Sequence, residues 1–136
     1  MEKIYSKIEK GKLLHVVNRL HEIHGRTEVI PEDNFLQCAT IRLSKDKTFP
    51  PHKHIWKPCQ NPQVIAQESW IVIRGSVKCI FYDIDDTLIS TEVLKPGDAS
   101  FTLYGGHTYE ILEDDTLVYE YKTGPYEGQA LDKEFI

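Results

Sequence analysis

Residues 76–122 read SVKCIFYDIDDTLISTEVLKPGDASFTLYGGHTYEILEDDTLVYEYK, a series of short β-rich runs with only turn residues between them. Ser76–Tyr82 and Thr87–Leu94 flank the acidic turn Asp83-Ile84-Asp85-Asp86, a hairpin signature. Lys95-Pro96-Gly97-Asp98 makes the next turn. Gly105-Gly106 and Glu113-Asp114-Asp115 then separate three more strand candidates, Ala99–Tyr104, His107–Leu112 and Thr116–Lys122. Many short strands at close spacing, with no long helix legible, predict an all-β fold, a sandwich or jelly-roll barrel, in one domain. A parallel α/β fold would need crossover helices, and the sequence offers none.

Upstream, residues 50–75 read PPHKHIWKPCQNPQVIAQESWIVIRG. Val64–Arg74 continues the strand pattern and Gly75 closes it, while Lys57–Pro62 reads as a loop. Thr48–Trp56 is a further strand candidate. Proline cannot donate to a sheet ladder, so Pro50 and Pro51 place that strand at an edge or start it just before His52. Phe35–Leu43, FLQCATIRL, is a strand candidate bounded by EDN and SKDK, and Gly25–Asn34 reads as turn and connection. Between Glu2 and Leu20 the apolar set Leu13, Leu14, Val16, Val17 and Leu20 fits a short helix or a strand, and the pattern does not choose. The tail TGPYEGQALDKEFI reads as an extended arm. The expected organisation is an N-terminal extension over 1–34, a β-barrel over 35–122 and an arm over 123–136.

The chain has 136 residues, 40% hydrophobic and 27% charged, enough to bury a core without disulfides or a structural metal. Its net charge of −5 comes without a basic cluster, which excludes the usual electrostatic footprint of nucleic-acid binding. The opening MEKIYSKIEKGKLL interleaves charges with apolar residues and lacks a signal-peptide core. The longest purely apolar run, Trp70–Ile73, is too short to cross a bilayer. A soluble cytoplasmic protein with no membrane partner is expected. Cys38, Cys59 and Cys79 are odd in number and form no CxxC pair, so reduced thiols are expected rather than a disulfide framework.

The chemistry-bearing residues begin with His52 and His54. Two positions apart on a strand, their side chains project from one face. Glu68 and, later, His107 complete a set of three imidazoles and one carboxylate. Nitrogen and oxygen donors of this kind suit one divalent first-row transition ion, Fe, Mn, Co, Ni, Cu or Zn, and leave one or two coordination positions open. The bland alternative for each histidine is a solvated or hydrogen-bonded side chain, which a same-face pair with Glu and His in strand order makes less economical. Tyr109, two from His107, is the candidate general acid, and Trp70 and Trp56 are candidates to stack on a sugar face; packing in the interior is the competing reading for all three. His15, His21 and His24 have no such partners and read as surface or packing residues. Cys38 and Cys79 read as strand core and Cys59 as a loop thiol. Ile80–Leu88, IFYDIDDTL, resembles the Asp-x-Asp-x-Thr motif of haloacid-dehalogenase-like phosphatases, with Asp83 as nucleophile. That motif must lead into helical crossovers, and here strand and turn follow, so the phosphatase reading is set aside.

Residues 35–122 resemble the cupin superfamily. Its first motif, a His-x-His pair followed by Glu, six residues and Gly, is matched by His52-Lys53-His54, Glu68 and Gly75. Its second opens with Pro-Gly-Asp and ends on a histidine, here Pro96-Gly97-Asp98 and His107. The ending VYEYKTGPYEGQALDKEFI resembles that of WbuC-type small cupins, associated with surface-polysaccharide biosynthesis. The resemblance implies a double-stranded β-helix holding one divalent metal ion on His52, His54, Glu68 and His107. It also implies a sugar-related setting without supplying the activity; the leading expectation is a metal-dependent isomerase or epimerase of a sugar or nucleotide-sugar. An Fe(II)-dependent small-molecule dioxygenase and a non-catalytic carbohydrate-binding module are the alternatives. A homodimer with exchanged edge strands is the expected assembly.

Overall fold

The computed structural model describes residues 1–31, 33–40, 42, 45–47, 50–51, 65–123 and 133–136. Ten strands are present among them: β1 (Glu2–Tyr5), β2 (Leu13–Asn18), β3 (Thr27–Glu28), β4 (Ala39–Thr40), β5 (Glu68–Arg74), β6 (Val77–Tyr82), β7 (Leu88–Leu94), β8 (Ala99–Thr102), β9 (His107–Ile111) and β10 (Leu117–Lys122). The only helical element among the described residues is the 3-10 turn Leu20–Glu22, and none is long and apolar enough to cross a membrane. Every pairing is antiparallel, in a five-stranded sheet ordered β1-β2-β8-β5-β10, a three-stranded sheet β7-β6-β9 and the two-stranded ribbon β3-β4. The fold is all-β, as expected; among the described residues no sheet closes on itself into a barrel.

The two larger sheets pack face to face. Ile4, Val17 and Val72 from one meet Val77, Cys79, Phe81 and Leu94 from the other, all buried in one cluster. A fully buried side chain such as Phe81 contributes about 1.5–3 kcal/mol relative to exposure. The outer face of the five-stranded sheet is covered too, where Val16, Ala99 and Phe101 pack with Val29, Ile30 and Leu103. This explains the ambiguity of the N-terminal pattern. A strand buried on both faces loses the alternation that identifies a strand, and β2 is buried at every position from Leu14 to Asn18. The N-terminal stretch resolves to two strands, and β2 sits inside the main sheet.

The other departure lies in 25–43. Of the expected strand Phe35–Leu43 only Ala39–Thr40 is strand among the described residues, and its partner Thr27–Glu28 falls in the stretch read as connection. Leu36 and Cys38 pack down on the outer cluster instead of extending a sheet. Gln67, fully buried, fixes this segment: its Oε1 accepts the Leu36 amide at 2.8 Å and its Nε2 donates to Asn34 Oδ1 at 3.3 Å. The strand expected over Thr48–Trp56 lies almost wholly outside the described residues.

At one end of the sandwich Arg19 gathers charges. Its Nη2 donates to Glu92 Oε2 at 2.9 Å and its Nη1 to Asp98 Oδ2 at 3.3 Å and to the Val93 carbonyl at 2.7 Å. Asp98, from the Pro96-Gly97-Asp98 turn, also accepts the Leu20 and Lys95 amides. That end is locked by charge-assisted hydrogen bonds. The opposite end, where Glu68, Thr102 and His107 sit, borders a cavity.

Candidate functional site

Strand register places the side chains of that end in layers. His15 on β2 is opposite Thr102 on β8, Thr102 is opposite Glu68 on β5, and across the sandwich His107 on β9 is opposite Phe81 on β6. One layer deeper, Val17, Ser100 and Trp70 align in one sheet and Tyr109 and Cys79 in the other. Alternation along β5 and β9 therefore sends Glu68 and Trp70, and His107 and Tyr109, into the space between the sheets.

They meet there in pairs. His107 Nε2 lies 3.2 Å from Glu68 Oε1, a hydrogen bond joining the two sheets. Trp70 and Tyr109 stack with ring centroids 3.9 Å apart and planes 12° apart. Such an aromatic pair contributes about 0.5–1.5 kcal/mol beyond the area it buries. The Tyr109 hydroxyl lies 3.4 Å from Ser100 Oγ, and Trp70 Nε1 is buried with no hydrogen-bond partner among the described residues.

A glycine turn sets the position of His107. Gly105 has φ +76°, and a Cβ there would lie 2.5 Å from the Tyr82 carbonyl oxygen. The Gly106 amide donates to that oxygen and the Tyr82 amide donates to the Gly106 carbonyl, so the turn is clamped onto the end of β6. His15 Nε2 donates to the same Tyr82 oxygen at 3.2 Å, leaving Nδ1 to accept from Thr102 Oγ1, also at 3.2 Å. The packing role expected for His15 fits this arrangement. The sequence did not signal that it backs the cavity.

The electrostatics follow from these contacts. Burial works against the Glu68 charge, but the hydrogen bond and charge of His107, with Lys133 and Lys122 further off, hold its carboxyl below the usual range. Burial pushes the Tyr109 phenol far above its ordinary value despite the Ser100 contact, so it is a proton donor and not a base. Burial lowers His15 to about 4, keeping it neutral. Burial also raises the Cys79 thiol to about 11, which makes it inert, in keeping with a core cysteine.

These side chains line a cavity of about 1100 Å³. Glu68, Trp70, His107 and Tyr109 form part of its wall, and Lys133, Glu134, Phe135 and Ile136 form another. The tail thus contributes to the cavity, which its reading as an extended arm did not anticipate. His52, His54, Trp56 and Cys59 lie outside the described residues. Among the described residues no three His, Cys, Asp or Glu side chains form a metal set; Glu68 and His107 are the two expected ligands that come together.

Asp83, the would-be phosphatase nucleophile, does something else. The backbone after it turns into the antiparallel partner β7, with the Asp86 amide donating to the Asp83 carbonyl. Its carboxylate accepts Ser6 Oγ at 2.7 Å, the Lys7 amide at 2.7 Å and the Ile84 amide at 2.8 Å. Those bonds outweigh burial and lower its pKa. They leave little of it for a substrate.

No family model, curated protein or solved structure matches the chain.

Proposed function

We propose that this chain is a metal-binding protein of the cupin type whose cavity takes a small carbohydrate, acting as an isomerase or epimerase in surface-polysaccharide metabolism. The observation that carries the reading is the meeting of Glu68 and His107 at 3.2 Å in the wall of the cavity, each delivered by a different sheet. Glu68 is held as a carboxylate that accepts from His107 Nε2, and an ion replacing that proton would find the oxygen and nitrogen donors that a divalent transition ion prefers. Glu68 and His107, together with His52 and His54, would hold the ion, which when bound supplies Lewis-acid polarisation of a carbonyl or hydroxyl oxygen.

The remaining residues have defined parts. Tyr109 keeps its proton and can donate it near the Glu68–His107 pair, its ring centroid being 5.3 Å from that of His107. Trp70 offers an apolar wall, but Tyr109 occupies one of its faces, so a sugar has only the rest of the indole to contact.

One observation favours a second reading. The Glu68–His107 hydrogen bond satisfies both groups without an ion, as a non-catalytic binding module would have it. Elemental analysis of protein expressed in metal-replete medium and purified without chelators or nickel resin separates the two. The metal reading expects about one transition ion per chain, lost in His107→Ala and in the His52→Ala, His54→Ala double variant. A metal-free parent whose stability and ligand binding are unaffected by added ions overturns it in favour of the module.

A further inference from the structure

The charge of the cavity, once it is taken as the ligand site proposed above, narrows what it can hold. Its described lining carries five carboxylates, Glu68, Asp83, Asp86, Glu120 and Glu134, against one ammonium, Lys133. Asp83 is spent on Ser6, Lys7 and Ile84, and a divalent ion on Glu68 and His107 would reverse the charge at Glu68. Asp86, Glu120 and Glu134 are left, all solvent-exposed and none in an ion pair among the described residues. A cleft whose described lining carries an excess of one sign of charge concentrates the opposite ion and repels its own. A diphosphate linker or sugar phosphate entering here would meet like charge.

Aromatic rings accompany the carboxylates. Tyr82, Tyr104 and Phe135 join Trp70 and Tyr109 in the lining. The ring of Tyr104 already receives an ammonium, Lys12 Nζ standing 5.1 Å from its centroid. Carboxylates and aromatic rings lining one cavity make a favourable environment for a protonated amine, whose charge the first attract and whose hydrocarbon the second cover. We propose that the ligand of this cavity carries a protonated amine, an amino sugar rather than a phosphorylated or nucleotide-linked one.

Calorimetric titration of the full chain with glucosamine, N-acetylglucosamine and UDP-N-acetylglucosamine, at low salt and slightly acidic pH, tests this. N-acetylation removes the charge and keeps the ring, and the nucleotide adds the diphosphate. The expectation is that glucosamine binds about tenfold more tightly than N-acetylglucosamine and that the nucleotide sugar binds most weakly. Added salt should weaken the first and strengthen the last. Glu120→Gln and Asp86→Asn, exposed positions with no packing duty, should each reduce the preference for glucosamine and leave N-acetylglucosamine unchanged. A nucleotide sugar that binds as well as N-acetylglucosamine, or three ligands that all fail to bind, overturns the proposal. Metal content measured on the same samples keeps the two claims apart. Amine preference in metal-free protein removes only the metal, whereas anion preference in metal-loaded protein removes only the amine.

Discussion

Asp83 and Glu68 are carboxylates at the same end of the sandwich, both lining the cavity and both held below the usual range, yet they spend their oxygens differently. Asp83 is 1% exposed and is saturated by donors of its own chain, the Ser6 hydroxyl and the Lys7 and Ile84 amides. It ties the segment after β1 to the β6–β7 turn. Glu68 has one side-chain hydrogen-bond partner among the described residues, a histidine from the opposite sheet. A lowered pKa alone does not distinguish structure from function; the donors do. Fixed amides and a hydroxyl hold a carboxylate for the fold, whereas a titratable partner at a cavity wall leaves it available for exchange.

The comparison breaks if the two residues respond alike to truncation. Asp83→Ala orphans three buried or part-buried donors, and its thermal midpoint should fall by about 10 °C. Glu68→Gln keeps a hydrogen-bond acceptor for His107 and should move the midpoint by about 2 °C or less, while abolishing any bound metal. Thermal melts and elemental analysis of the two variants provide the measurement. Equal shifts would mean that Glu68 is as structural as Asp83.

His15 sharpens the same contrast from behind the cavity, because burial, and not its hydrogen bonds, keeps its ring neutral. The Tyr82 carbonyl takes the Nε2 proton and the Thr102 hydroxyl faces Nδ1, and burial outweighs the Tyr82 bond in disfavouring the charged ring. Its folded pKa of about 4 lies below the ordinary 6.5, so between those values the unfolded chain binds the extra proton. Stability from this residue is therefore complete above pH 6.5 and declines as pH falls toward 4, by about 3 kcal/mol over the window. Glu68 and Asp83, with depressed folded values, lose their share only below the ordinary carboxylate range. Urea unfolding between pH 4 and pH 7 should show the His15 slope in the parent and not in His15→Gln, which cannot titrate there. A variant retaining the full slope would assign the acid sensitivity elsewhere.

Most strands from Glu68 onward were legible because one side faces solvent and polar turns bound them, while β8, buried at all four positions, was legible from its flanking turns. Glu68, Trp70, His107 and Tyr109 were legible as one group for the same reason, parity on two strands. What escaped had a different physical basis. β2 is buried on both faces and carries no alternation. The pairing of Thr27–Glu28 with Ala39–Thr40 is too short to print a pattern, and Leu36 is held by a long-range bond to Gln67 that no local signal encodes. Lys133–Ile136 reach the cavity by tertiary placement alone. The residues expected to close a barrel and to bring His52 and His54 to the pair lie outside those described.

The smallest effect concerns Tyr109, whose ring and hydroxyl can be separated. The ring stacks on Trp70 at 3.9 Å and packs against the inner core, and truncation to alanine should cost about 3 kcal/mol through the cavity it opens. The hydroxyl makes one weak contact, 3.4 Å to Ser100, so Tyr109→Phe should change stability by about 0.5 kcal/mol. That leaves the phenol nearly free of structural duty at a place where it cannot ionise but can donate. If Tyr109 serves the chemistry, the phenylalanine variant melts like the parent and loses turnover or ligand affinity. If it only packs, that variant is indistinguishable from the parent in both, and the stacked pair belongs with Asp83 among the residues that build the site without acting in it.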